Sequence, residues 1–98
     1  MIRRIFANNE MVGWITGKVQ GVYILELDFE SMESLPTKYD RVEARDIFKS
    51  FGFNNPDDEE YFKEYKEFDD ILKDLEKLFK MIFKGDVSMI IKEEIKGG

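Results

Sequence analysis

The sequence predicts an α+β fold: an antiparallel sheet of about four strands with two helices packed on one face, in the order β-β-β-α-α-β. Three observations lead there. Residues 2–29 hold three apolar-rich runs separated by short turn signals. Residues 40–53 form a capped amphipathic segment, and residues 55–85 carry a sustained helical period. A closing run at 86–95 supplies the last strand. No stretch is long or flexible enough to separate domains, so residues 1–98 read as a single α+β domain.

The first strand is IRRIFA (2–7), followed by a turn at Asn8, Asn9 and Glu10. VGWITGKV (12–19) and VYILELDF (22–29) flank Gln20-Gly21, which has the length of a two-residue hairpin loop. Such a loop fixes register. Val19 then faces Val22, Gly17 faces Ile24, Trp14 faces Leu27 and Val12 faces Phe29. Val12, Trp14, Tyr23, Leu25, Leu27 and Phe29 form the expected core side. The other side carries Ile15, Val19, Val22 and Ile24, then Glu26 and Asp28. Arg3 and Arg4 read as solvent-facing charges.

Residues 30–39 read as a connection interrupted by Pro36. Asp40 followed by Glu43 has capping-box spacing. The helix after it puts Ala44, Ile47, Phe48 and Phe51 on one side. Gly52 ends it, and Phe53 can fold back on Phe48.

The run NPDDEEYFKEYKEFDDILKDLEKLFKMIFKG (55–85) reads as one long helix. Asn55 suits the N-cap and Pro56 the first helical position. Asp57, Asp58, Glu59 and Glu60 suit the first turn, where the helix dipole favours negative charge. Tyr61, Tyr65, Phe68, Leu72, Leu75, Phe79 and Ile82 alternate steps of four and three, with Ile71 and Leu78 widening the face. Phe62 and Met81 point off it. Glu59–Lys63, Asp69–Lys73 and Glu76–Lys80 stand four apart with the acid first. Gly85 suits the left-handed C-terminal position. In DVSMIIKEEI (86–95), Val87, Met89, Ile91 and Ile95 share one side, and Ser88, Lys92 and Glu94 the other. Gly97-Gly98 is expected to fray.

With 21 acids against 15 Lys and Arg the chain carries a net charge of −6. The excess is local. Residues 57–70 hold eight acids against Lys63 and Lys66, a balance of −6 by themselves. A chain so charged is not expected to bind nucleic acid directly, since phosphate contacts need clustered Lys and Arg. Zero cysteines exclude disulfides, thiolate metal sites and cysteine nucleophiles. Zero histidines remove the commonest general base and transition-metal ligand. No apolar stretch approaches a membrane span, and MIRRIFANNE lacks the apolar core of a secretion signal. A cytoplasmic location is expected. Abundant Lys and Glu, few Asn and Gln and no Cys are compatible with a thermophilic source, although an AT-rich genome gives a similar bias.

Gly13, Gly17 and Gly21 fit neither a dinucleotide fingerprint nor a phosphate loop. EARDIFKSFGF (43–53) resembles the late helix and strand of N-acetyltransferases. The acetyl-CoA signature, Arg or Gln-x-x-Gly-x-Gly or Ala, is absent, so no family is assigned. The acids at 57–70 lack the pattern of a calcium loop, and no metal or cofactor is expected. Paired carboxylates in a cleft could in principle do general acid–base work, and nothing marks two of them as buried.

The expected function is therefore non-enzymatic: binding another protein through the acidic half of the long helix, whose charge favours a basic partner. Asp57, Asp58, Glu59, Glu60, Tyr61, Phe62, Glu64, Glu67 and Asp70 form the expected contact surface. Its sharper form is an inhibitor that presents carboxylates where phosphates would sit; a calcium or small-ligand domain is the other class. The plainer reading of the acids is a solvated polar face. Ile15, Val19, Val22 and Ile24 form a candidate homodimer patch.

Overall fold

The chain runs β1 (Ile2–Ala7), β2 (Glu10–Val19), β3 (Val22–Asp28), α1 (Phe29–Glu33), α2 (Arg41–Ser50), β4 (Glu60–Tyr65), α3 (Phe68–Phe83) and β5 (Met89–Glu93). This computed structural model describes residues 2–33, 40–55, 60–84 and 87–93. The strands form one antiparallel sheet in the order β4-β3-β2-β1-β5. The class is the expected α+β. The described residues hold five strands and three helices, one more of each than the sequence reading, and the order of elements differs accordingly.

Both hairpin loops are two residues long with positive φ at both positions, 50° and 69° at Asn8-Asn9 and 51° and 82° at Gln20-Gly21. That backbone twist matches the twist of the flanking strands. Val19 pairs with Val22 as expected, but the register then shifts between Thr16 and Val19. Thr16 faces Ile24, Trp14 faces Glu26 and Gly13 faces Leu27. The expected pairings of Gly17 with Ile24, Trp14 with Leu27 and Val12 with Phe29 are thereby corrected. A one-residue slip exchanges the two faces of a strand. Trp14 consequently leaves the core side, and Ile15 enters it with no exposed surface.

A second irregularity lies where Ile5 pairs with Gly13 and Phe6 with Met11, leaving Val12 as the extra residue of β2. Val12 is fully buried, so the bulge turns it inward beside Gly13 and Ile15. Gly13 is needed for a close approach: a Cβ there would run into the Glu26 carbonyl oxygen and the Leu27 side chain. Phe29 opens α1 instead of ending β3, and that helix buries Met32. Residues 34–39, including Pro36, lie outside the described residues.

The second helix matches the sequence reading closely. The Asp40 carboxylate accepts hydrogen bonds from the Val42 and Glu43 backbone N–H groups, both at 3.0 Å. Ala44 and Phe48 are buried, with Ile47 and Phe51 half-buried beside them. Gly52 takes φ = +83°; its N–H donates to the Lys49 carbonyl, and the Phe53 N–H to the Phe48 carbonyl. This paired closure needs a left-handed residue, which glycine adopts without strain. Phe53 turns back on Phe48, ring centroids 5.3 Å apart, as its position predicted.

The long helix is where expectation and structure part. Residues 60–65 form an edge strand, and the helix begins only at Phe68, with Glu67 at its N-cap. Asn55 therefore does not cap α3, and Pro56 lies outside the described residues. The cause is an ambiguity of spacing. Tyr61 and Tyr65 are four apart, which puts them on one face of a helix and equally on one face of a strand. Both are buried. Tyr61 stacks on Phe48 at 3.9 Å, and Asn54 bridges to Phe62 across the outer edge of β4.

From Phe68 onward the helical period holds. Ile71, Leu75, Leu78, Phe79, Ile82 and Phe83 are buried; Phe68 is half-buried, and Leu72 keeps 37 % of its surface. The left-handed C-terminal residue is Lys84 (φ 53°), one position before Gly85, which lies outside the described residues. Glu76 and Lys80 stand 3.8 Å apart, as their spacing predicted. Lys63 pairs with Asp74, and Glu59 is outside the described residues. Met89 and Ile91 of β5, and Val87 just before it, pack on the core. Arg3 is not a free-standing surface charge; its guanidinium lies 4.4 Å from the Phe68 ring centroid. The helices α2 and α3 thus cover the sheet face that carries Ile5, Ile15, Leu25 and Tyr61.

The aromatic contact between α2 and β4 sets a test. Phe48→Ala removes a fully buried ring stacked on Tyr61 and should lower unfolding free energy by about 3–5 kcal/mol. Leu72→Ala should cost under about 1 kcal/mol, because that side chain is substantially exposed. Urea denaturation of the two variants checks both.

Candidate interaction face

No described element packs on the second face of the sheet. Its side chains follow from the pairings. Phe62, Glu26, Trp14, Arg4 and Lys92 are successive cross-strand neighbours from β4 to β5. Glu64, Ile24, Thr16 and Ile2 form the next row, and Met11, Phe6 and Ile90 another. Ile2, Met11, Val19 and Ile90 expose 40 %, 43 %, 54 % and 50 % of their surfaces, and all four point this way. Phe6, Trp14, Ile24 and Phe62 are half-buried among them. This is an aromatic and aliphatic surface crossed by charges, unlike the evenly polar outer face of a solvated sheet.

The charges on it are ordered. Edge strand β4 contributes Glu60 and Glu64, and β3 contributes Glu26. Asp28 at the end of β3 is occupied in capping α1, accepting from the Glu30 N–H at 3.1 Å and the Ser31 hydroxyl at 2.9 Å. The central strand presents no charge between Met11 and Thr16. Then Arg4 on β1 and Lys92 on β5 are positive, with the Lys92 ammonium 5.2 Å from the Phe6 ring centroid. Glu26 is the direct cross-strand partner of Trp14. Burial raises the Glu26 pKa, and the Glu60 charge adds to that.

The residues expected to form a contact surface divide among four places. Glu60, Phe62 and Glu64 lie together on the open face. Tyr61 points the opposite way into the core and is withdrawn from the surface. Glu67 and Asp70 are exposed at the start of α3, where the helix dipole accounts for them. Asp57, Asp58 and Glu59 lie outside the described residues. Of the expected dimer patch, Val19, Val22 and Ile24 are on the open face, but Ile15 is in the core. Trp14 takes its place. The sequence signal for that exchange was Gly17 inside a strand run next to a hairpin, a common sign of a bulge.

A second constellation joins β4 to both larger helices. The Lys63 ammonium donates to the Phe51 carbonyl at 2.6 Å and lies 3.2 Å from Asp74 Oδ2. Tyr65 donates its hydroxyl hydrogen to the same Asp74 oxygen at 2.6 Å. Burial and the Asp74 hydrogen bond hold the Tyr65 phenol protonated well above its ordinary range. Each group is engaged by its neighbours, so the cluster acts as a polar clamp between strand and helices. Among the described residues no three carboxylates converge on a point where a cation could sit. A shallow cleft of about 390 Å³ between α3 and β5 is lined by Leu72, Glu76, Phe79, Lys80, Val87 and Met89. No described helix is long and apolar enough to cross a membrane.

The clamp predicts an alkaline limit. Folding raises the Tyr65 pKa, so the stability it carries is intact below about pH 10 and is lost as pH rises beyond that. The melting temperature of the wild type should fall more steeply above pH 10 than that of Tyr65→Phe. At neutral pH Asp74→Ala should cost about 1–3 kcal/mol by removing the acceptor of the Tyr65 hydroxyl and the counter-charge of the Lys63 ammonium, which keeps the Phe51 carbonyl.

No protein-family model, curated protein or solved structure matches the chain.

Proposed function

We propose that this chain is a non-enzymatic protein-binding domain and that its contact surface is the open face of the sheet. One observation carries the reading. Phe6, Trp14 and Phe62 lie with exposed Ile2, Met11 and Ile90 on a face that no described element covers. Partly exposed aromatic and aliphatic side chains on an uncovered face, crossed by a few charges, are the composition of a protein contact. Trp14 is the anchor. It occupies the central strand, and an indole offers a large apolar ring with one polar handle to a partner that covers it.

The acidic character expected of the contact survives in altered form. Glu60, Glu64 and Glu26 make the β3–β4 side of the face negative, and that side favours a basic surface on the partner. The acids act here through their place beside aromatic rings on a sheet rather than along a helix.

Affinity capture with immobilised protein tests the assignment. A specific partner held by the wild type should be held at least about tenfold less by Trp14→Ala, the scale of a central aromatic anchor. The same partner should be retained by Glu67→Gln and Asp70→Asn. Loss with the α3 variants and retention by Trp14→Ala would instead put the contact at the start of that helix and overturn the reading.

A further inference from the structure

We infer that the open face takes a second copy of this chain, packed face to face about a two-fold axis running along β2. The inference rests on the preceding reading of that face as a protein contact and names its partner.

The ordering of charge carries it. Across the sheet from β4 to β5 the open face runs from Glu60 and Glu64, through Glu26, to the uncharged centre of β2, then to Arg4 and Lys92. Sign is therefore reversed about the central strand. Two facing sheets can be related by a two-fold axis across the strands or along them. An axis across the strands lays each strand over its own copy, which sets Glu60 and Glu64 against themselves. An axis along β2 reverses the strand order, so that β4 lies over β5 of the second copy and β3 over β1. Glu26 then faces Arg4 of the second copy, and Lys92 of the second copy falls over Phe62 between Glu60 and Glu64. Trp14 meets Trp14 on the axis. Among the described residues each of these charge contacts is made twice and joins opposite signs, the self-complementarity that a two-fold interface requires. Packing nearly aligned sheets about 10 Å apart is an ordinary sandwich arrangement.

The size of the face sets the strength. Five strands at about 4.8 Å spacing and roughly six residues of each at about 3.3 Å give a surface of about 24 by 20 Å. That is at the small end of specific interfaces. A dimer with a micromolar dissociation constant, weakened by salt, is expected.

Sedimentation equilibrium of the full chain from micromolar to near-millimolar concentration tests this, with circular dichroism confirming that each variant folds. Glu26→Arg alone and Arg4→Glu alone each set like charges together at both contacts, and each should weaken the dimer at least about tenfold. Mixing the two variants in equal amounts joins opposite charges again and should restore association to near the wild-type level. A wild type that stays monomeric throughout overturns the inference. So does a dimer indifferent to both variants, which would use another surface such as the outer edge of β5. A dimer weakened by both variants but not restored on mixing overturns the axis. A monomeric wild type leaves the Trp14→Ala capture result standing, so failure here is distinguishable from failure of the binding face itself.

Discussion

The register of β2 is the constraint on which the rest of the molecule depends. As the central strand it decides which side chains meet the helices and which meet solvent, for itself and through pairing for β1 and β3. Its two irregularities are compensatory in effect. One turns Val12 inward beside Gly13; the other keeps the tight Gln20-Gly21 loop while putting Ile15 in and Trp14 out. Had the strand been regular from Val12 to Val19, the indole would have had to fit over Leu27, where Gly13 now sits with no room for even a methyl group. The core is closed at that point because the bulky residue faces away from it.

Much of this was legible from the residues. The Gln20-Gly21 loop, the Asp40 cap, the Gly52 closure and most of the core side of α3 follow from local chemistry that acts over a few residues, and the structure shows them where the sequence placed them; Glu10 instead opens β2, Leu72 is exposed and Phe83 joins the core. On β3 the outward set Val22, Ile24 and Glu26 was also readable. Trp14 and Ile15 were not. Their facing depends on a one-residue bulge, and a bulge leaves only a faint mark in sequence, a glycine amid strand formers.

The stretch 55–67 failed for a different reason. Tyr61 and Tyr65 satisfy helix and strand periods at once, and the flanking acids look like a helix N-terminus in either case. Tertiary packing decides: Tyr61 stacks on Phe48, and Lys63, the residue between the tyrosines, reaches both the α2 carboxyl end and Asp74. Those contacts join residues 11 to 13 apart, beyond what a local pattern can encode. The described part of the acidic excess consequently splits between a sheet face and a helix start, and these two parts have different physical causes. On α3 the dipole explains the acids. On β4 nothing internal does, which is why the open face rather than the helix draws attention.

The pairing of β1 with β5 has a consequence for how the molecule assembles. Strands β1, β2 and β3 are joined by two-residue loops, so their meander needs only local chain closure. Strand β5 reaches β1 across more than eighty residues of chain, as in the pairing of Ala7 with Met89, after both larger helices have been placed. Loop closure over such a distance delays the contact relative to the hairpins. The sheet therefore grows from its middle outward, with β5 the last strand to lock and the first to exchange its amide hydrogens with water. The basic margin of the open face, divided between Arg4 on the early meander and Lys92 on that late strand, is complete only when folding is.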